Sequence, residues 1–177
     1  MTSRKLSFAL TLLLAASFPL HAQRGESTLS EAEVEQLRDA AYVPSDRVLV
    51  FVKILDSRNK AIQDLIAKPR RPGRDEDLHD LIEQFTAITD ELNDNLDDYG
   101  PHHKDIRKSL PKLLEATERW ASNMKALPDV DRVSVSRKLA LESIRDVREE
   151  ATKLVEDQKT WFLAHPPAKE SKTPPPQ

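Results

Sequence analysis

The side chains able to ligate a metal or move a proton gather in few places. His102 and His103 follow an acid-rich stretch, Asp90, Glu91, Asp94, Asp97 and Asp98, with Asp105 one turn further on. The surrounding pattern makes this stretch a helix C-terminus, where each carboxylate is unfavourable by about 0.3–1 kcal/mol and a nearby cation helps. Lys104, Arg107 or a weakly held divalent ion on His102, His103 and Asp98 would supply that charge. Against the ion, neighbouring histidines rarely reach one point from a regular backbone. A calcium loop also needs alternating acids followed by Gly, a pattern that fails at Leu96 and Asp98. The stretch reads first as a solvated face and second as a divalent-ion site.

Glu76 and His79 have the Glu-x-x-His spacing of di-iron carboxylate bundles, whose ligands all project inward. With Phe85 in the core, His79 falls at an outward position beside Leu78, and no second such pair accompanies it. Haem has no covalent attachment point without Cys, and none of the five histidines is placed to ligate one from inside a bundle. No cofactor is implied. The loop from Lys68 to Arg74 carries four cations, and Arg70, Arg71 and Arg74 are its candidates for contact with phosphates of lipid or envelope polysaccharide. A solvated connector explains the same composition.

Nucleophilic catalysis needs Ser or Thr beside a base, and the histidines lie at helix ends and in loops. None of the 30 acidic residues takes a clearly inward position for paired acid–base work. The sequence therefore points away from an enzyme. With 27 basic residues against those 30, it also lacks the basic excess that marks a nucleic-acid partner.

Residues 1–22 have the order of an export signal. Arg4 and Lys5 open it, Leu6 to Leu20 is almost wholly apolar, and Leu20-His21-Ala22 ends on a small residue. The apolar run is shorter than the roughly 20 residues a membrane-crossing helix needs, so cleavage near Ala22 is expected, with a periplasmic or secreted product. An exported chain with 0 Cys has no disulfides, and its stability must come from a hydrophobic core.

Only 3 glycines and 5% aromatic residues leave little for sheets and hairpins, and apolar positions recur with gaps of three and four. Residues 23–43 read as an arm and a short helix begun by a Ser30/Glu33 capping box, with Leu29 and Val34 placed as a hydrophobic staple. Pro44 starts a second helix with core line Val48, Val52, Leu55, Asn59, Ile62 and Ile66. Its opening, Val48 to Val52, would suit a strand on composition, but the later periodicity decides for helix. A third carries Leu78, Leu81, Phe85, Ile88, Leu92, Asn95 and Tyr99 on one stripe, with Ile82 and Leu96 beside it, and stops at Gly100-Pro101. A fourth carries Ile106, Leu110, Leu113, Thr117, Trp120, Met124 and Leu127, with a bend or fresh start near Lys108 to Leu110 imposed by Pro111. A fifth runs from Asp131 to about Phe162 on Ala140, Ile144, Val147, Ala151, Leu154, Gln158 and Trp161. Residues 166–177 are Pro-rich with almost no apolar side chain and are expected to be disordered.

Four long helices over residues 44–165, joined by short connections, make an all-α, up-down-up-down antiparallel bundle with an extra N-terminal helix, as a monomer or homodimer. Polar Asn95 and Gln158 interrupt their stripes near one end, where a shared polar layer would fix register. The function class left standing is a non-catalytic binding or interaction module, an envelope scaffold or chaperone-like protein with a protein partner or polypeptide client and possible envelope contact.

Overall fold

The computed structural model describes residues 28–166, so the expected signal, most of the arm and nearly all of the Pro-rich tail lie outside the described residues. Among the described residues the elements are all helical: α1 (Glu31–Asp39), extended by a 3-10 turn (Ala40–Tyr42), then α2 (Pro44–Ala67), α3 (Arg74–Tyr99), α4 (Leu110–Lys125) and α5 (Asp131–Ala164). No helix among them is long and apolar enough to cross a membrane.

The start of α1 follows its sequence signal. Glu33 N–H donates to Ser30 Oγ at 3.3 Å, and Ser30 N–H donates back to Glu33 Oε2 at 2.8 Å. Of the two staple positions, Leu29 is buried in the main core and Val34 is 47% exposed. Pro44 occupies the first turn of α2, where its missing N–H costs nothing. The strand-like opening of α2 is helical, and Val48, Phe51, Val52, Ile54 and Leu55 are all buried. Such a dense apolar run suits a helix packed on several sides, and α2 contacts α1, α3 and α4.

Helix α3 packs between α2 and α5, and α4 touches the same two helices from the other side. The four thus form a ring in which α2 faces α5 across the core and α3 faces α4. The burial on α3 is correspondingly wide and centred further round than the sequence stripe: Ile82, Thr89 and Leu96 are buried, while Leu81 and Asn95 are half-buried. Gly100 does follow the last turn of α3, but with φ −58 it needs no left-handed freedom. Its role is close approach: a Cβ there would lie 3.1 Å from Leu154 Cδ2 on α5. Pro111 causes a fresh start, not a bend, because α4 begins at Leu110 and Pro111 falls in its first turn.

All the positions expected for the fourth helix are buried, and Trp120 meets Phe85 edge-on with centroids 5.7 Å apart. The Trp120 indole N–H donates to Asp56 at 2.8 Å, so the largest core side chain leaves no orphan donor. With 34 residues against 16, α5 is about 51 Å long and α4 about 24 Å. Trp161 is only half-buried, contrary to its core assignment, since α3 ends at Tyr99 and leaves Trp161 to the chain around Gly100, Pro101 and His103.

Candidate functional site

The site is built where α5 outlasts its partners. Residues 100–109 carry the chain across the bundle from the end of α3 to the start of α4. Gln158, buried on α5, fastens this crossing: its amide donates to Lys104 C=O at 2.7 Å and its carbonyl accepts from Ile106 N–H at 3.1 Å. Ser45 at the start of α2 donates to Asp105 C=O at 3.2 Å. So positioned, Arg107 makes paired bonds to Asp105 at 2.9 and 2.7 Å and lies over the Phe162 ring, 4.0 Å from its centroid. The Arg107 guanidinium holds the Asp105 carboxyl below the usual carboxylate range, against the opposing effect of partial burial.

Beside this pair runs a groove of about 300 Å³ between α4 and the last turns of α5. Leu110 and Pro111 form one wall, and Val155, Phe162 and Leu163 form the other. Arg107 and Lys159 stand at its rim. Leu163 is 77% exposed at the lip of this cleft. Arg107 is already neutralised by Asp105, but among the described residues Lys159 has no ion-pair partner. Chemically the groove offers apolar contact, an aromatic edge and one unneutralised cation.

The candidates read from the sequence are dispersed by the fold. His102 turns back to its own helix, with Nδ1 2.7 Å from Asp98 C=O and 3.1 Å from Asp98 Oδ1. His103 leaves in another direction. It adopts a left-handed φ of 50, a conformation that costs about 1–2 kcal/mol outside glycine. Its ring stacks on Trp161 at 3.5 Å, and His165 covers the opposite face of that indole at 3.8 Å. His102 and Asp98 are thus together, whereas His103 is spent on an aromatic sandwich. Of the basic loop, Arg71 pairs with Asp77 and Arg74 donates to Ile66 C=O at 3.0 Å, closing the end of α2. Arg70 remains exposed. His79 is not simply outward: its ring is 33% exposed and lies against Ser136 of α5, while Glu76 pairs with Arg132 at 2.8 Å.

Asn95 and Gln158 do not hydrogen-bond one another. Asn95 accepts from Arg47 Nε at 2.9 Å and from Tyr99 O–H at 3.2 Å, and Arg47 reaches on to Leu37 C=O at 2.8 Å. Each amide ties a peripheral segment to the bundle: Asn95 holds the end of α1, and Gln158 holds the 100–109 crossing.

The groove was not foreseen from the sequence. A signal for it existed in the run Trp161-Phe162-Leu163, where three large apolar residues in succession exceed what one helix stripe can bury. Fold and site together define a class, an all-α bundle with an apolar end groove. No known protein family, curated protein or solved structure matches the chain.

Proposed function

We propose that the chain is an exported, non-catalytic interaction module whose up-down-up-down bundle presents the α4/α5 groove to a polypeptide partner. Export rests on the order of Arg4, Lys5, the apolar run and Ala22, with the product periplasmic or secreted. The observation that carries the docking role is Leu163, 77% exposed at the lip of an apolar groove. The occupant is an apolar segment of another protein with a carboxylate beside it, apolar to fill the space against Val155 and Phe162, acidic to meet Lys159.

Photo-crosslinking from position 163 in the native host, with the captured segment sequenced, tests this. Support is one apolar, acid-flanked segment whose synthetic peptide binds the purified protein and binds Leu163→Asp and Lys159→Glu at least tenfold more weakly. Equal binding to those variants, or crosslinking only to lipid, refutes it.

A further inference from the structure

At the other end of the bundle the first turns of α3 face those of α5, and the side chains there have a different chemistry. His79 Nε2 lies 3.1 Å from Glu83 Oε1, one helical turn on. The ligating atoms of His79, Asp80 and Glu83 all lie within 4.8 Å of one another, and among the described residues no other group of three does so. The nearby cations are taken elsewhere: Arg132 pairs with Glu76 and Arg71 with Asp77. Among the described residues neither Asp80 nor Glu83 has a Lys or Arg partner.

The other face of the imidazole meets Ser136, a residue 3% exposed on α5. Its Oγ lies 3.3 Å from His79 Nδ1 and 3.1 Å from Val133 C=O. A hydroxyl has one hydrogen. Donated to Val133, it leaves Oγ to accept from Nδ1–H, and Nε2 then turns a lone pair toward the Glu83 carboxylate. Two acceptors at that separation need a positive centre between them, a proton or a metal ion. Donated to Nδ1, the same hydrogen leaves Nε2–H to bond Glu83 directly, with no ion required. Ser136 therefore serves both states, and the first is the arrangement in which metal-binding imidazoles are held, the distal nitrogen bonded to a fixed acceptor and the proximal one free.

We infer that His79, Asp80 and Glu83 form a divalent transition-metal site, with His79 Nε2 and the two carboxylates as ligands and Ser136 as the positioning residue behind the imidazole. One nitrogen and two carboxylates favour zinc-like ions over calcium or magnesium, which prefer oxygen alone. Tetrahedral ligation at about 2.0–2.2 Å places donor atoms about 3.4 Å apart, so the exposed carboxylates close by rotamer change alone. Solvent fills the remaining position. This site is independent of the groove and of the His102 region, about a bundle length away.

Zinc chloride titrated by calorimetry into the purified full chain and into His102→Ala/His103→Ala tests the assignment. The expected result is one ion per chain in both, with binding lost on adding His79→Ala while the helical circular dichroism is unchanged. Ser136→Ala is expected to weaken zinc about tenfold. The His79 ring 15N shifts, which report the tautomer, should move to the Nδ1–H form with zinc in the parent. Zinc binding that survives His79→Ala in the double variant, or no saturable binding by the double variant at millimolar zinc, overturns the inference.

Discussion

Glu33 is the residue whose removal should be felt most strongly for its size. Its carboxylate accepts from Ser30 N–H at 2.8 Å and from Arg58 Nη1 and Nη2 at 3.0 and 2.8 Å, so one side chain closes the cap of α1 and pairs α1 with α2. The Glu33 and Arg58 side chains are only 16% and 17% exposed. An exposed pair contributes about 0–1 kcal/mol and breaking a fully buried one costs about 3–5 kcal/mol, which puts this pair near 2 kcal/mol. Loss of the cap adds about 1 kcal/mol. Glu33→Ala should therefore cost about 3 kcal/mol, aggravated by an Arg58 whose Nε is already buried without a partner. Glu33→Gln keeps a capping-box acceptor and loses the charge, at about 1–2 kcal/mol.

Because among the described residues α1 packs only on α2 and on its own 3-10 turn, the loss should appear first as local opening. Hydrogen exchange over residues 31–39 is the assay. Protection is expected to fall about 100-fold in Glu33→Ala and about 10-fold in Glu33→Gln, while α3 and α5 are unaffected. A fall of less than tenfold in Glu33→Ala would refute the argument. The pH dependence provides a second check. Partial burial raises the Glu33 pKa, but hydrogen bonds from Arg58 and Ser30 outweigh it and leave the value lowered. The stabilisation is complete above the unfolded-state value and is lost as pH falls through the lower folded-state one, so acid should free α1 and erase the difference between wild type and Glu33→Gln.

Gln158→Leu adds apolar volume but strands Ile106 N–H and Lys104 C=O, and should lower stability by about 1–3 kcal/mol in denaturant titration. At Gly100 the backbone suits any residue, so the cost of a side chain is the contact alone: Gly100→Ala should press its Cβ on Leu154 and cost about 1 kcal/mol, and Gly100→Val about 1–3 kcal/mol, in thermal melts. Leu163 is 77% exposed, so about a quarter of the 1.5–3 kcal/mol of a buried leucine is present in the free protein. Leu163→Ala should thus leave the melting curve almost unchanged and weaken a docked segment by about 7- to 50-fold, measured by titration calorimetry with the crosslinked peptide.

Much of the architecture was legible because helix periodicity is a local signal. The Ser30 capping box, the Pro44 and Pro111 starts, and the α4 stripe from Leu110 to Met124 appear where spacing places them, while Ile106 and Leu127 are buried as expected but flank the helix. What spacing does not carry is the identity of the neighbour. Trp161 continues the α5 heptad, but the end of α3 and the 100–109 crossing decide whether anything covers it. Gly100 signals a helix end, yet the reason for glycine lies on α5, at Leu154. His102 and His103 are adjacent in sequence and divergent in space, since the left-handed φ of His103 turns the chain between them. His79 looked solvated because Ser136, its neighbour, is 57 residues away in sequence.

The polar residues inside the stripes link the fold to the groove. Gln158 occupies a position where leucine would bury more apolar area, and its two bonds hold backbone that no helix covers. That backbone carries Asp105 and Arg107, and their paired bonds hold the guanidinium against Phe162. Phe162 in turn forms the groove wall beside Leu163. A heptad imperfection on α5 is therefore coupled, through a loop that crosses the bundle, to the shape of a surface on the same helix one turn later. If the chain of contacts is right, Gln158→Leu should loosen the 100–109 crossing and weaken docking in the groove, although residue 158 does not line it. Unchanged peptide affinity in a folded Gln158→Leu variant would separate the two and leave Gln158 a purely structural residue.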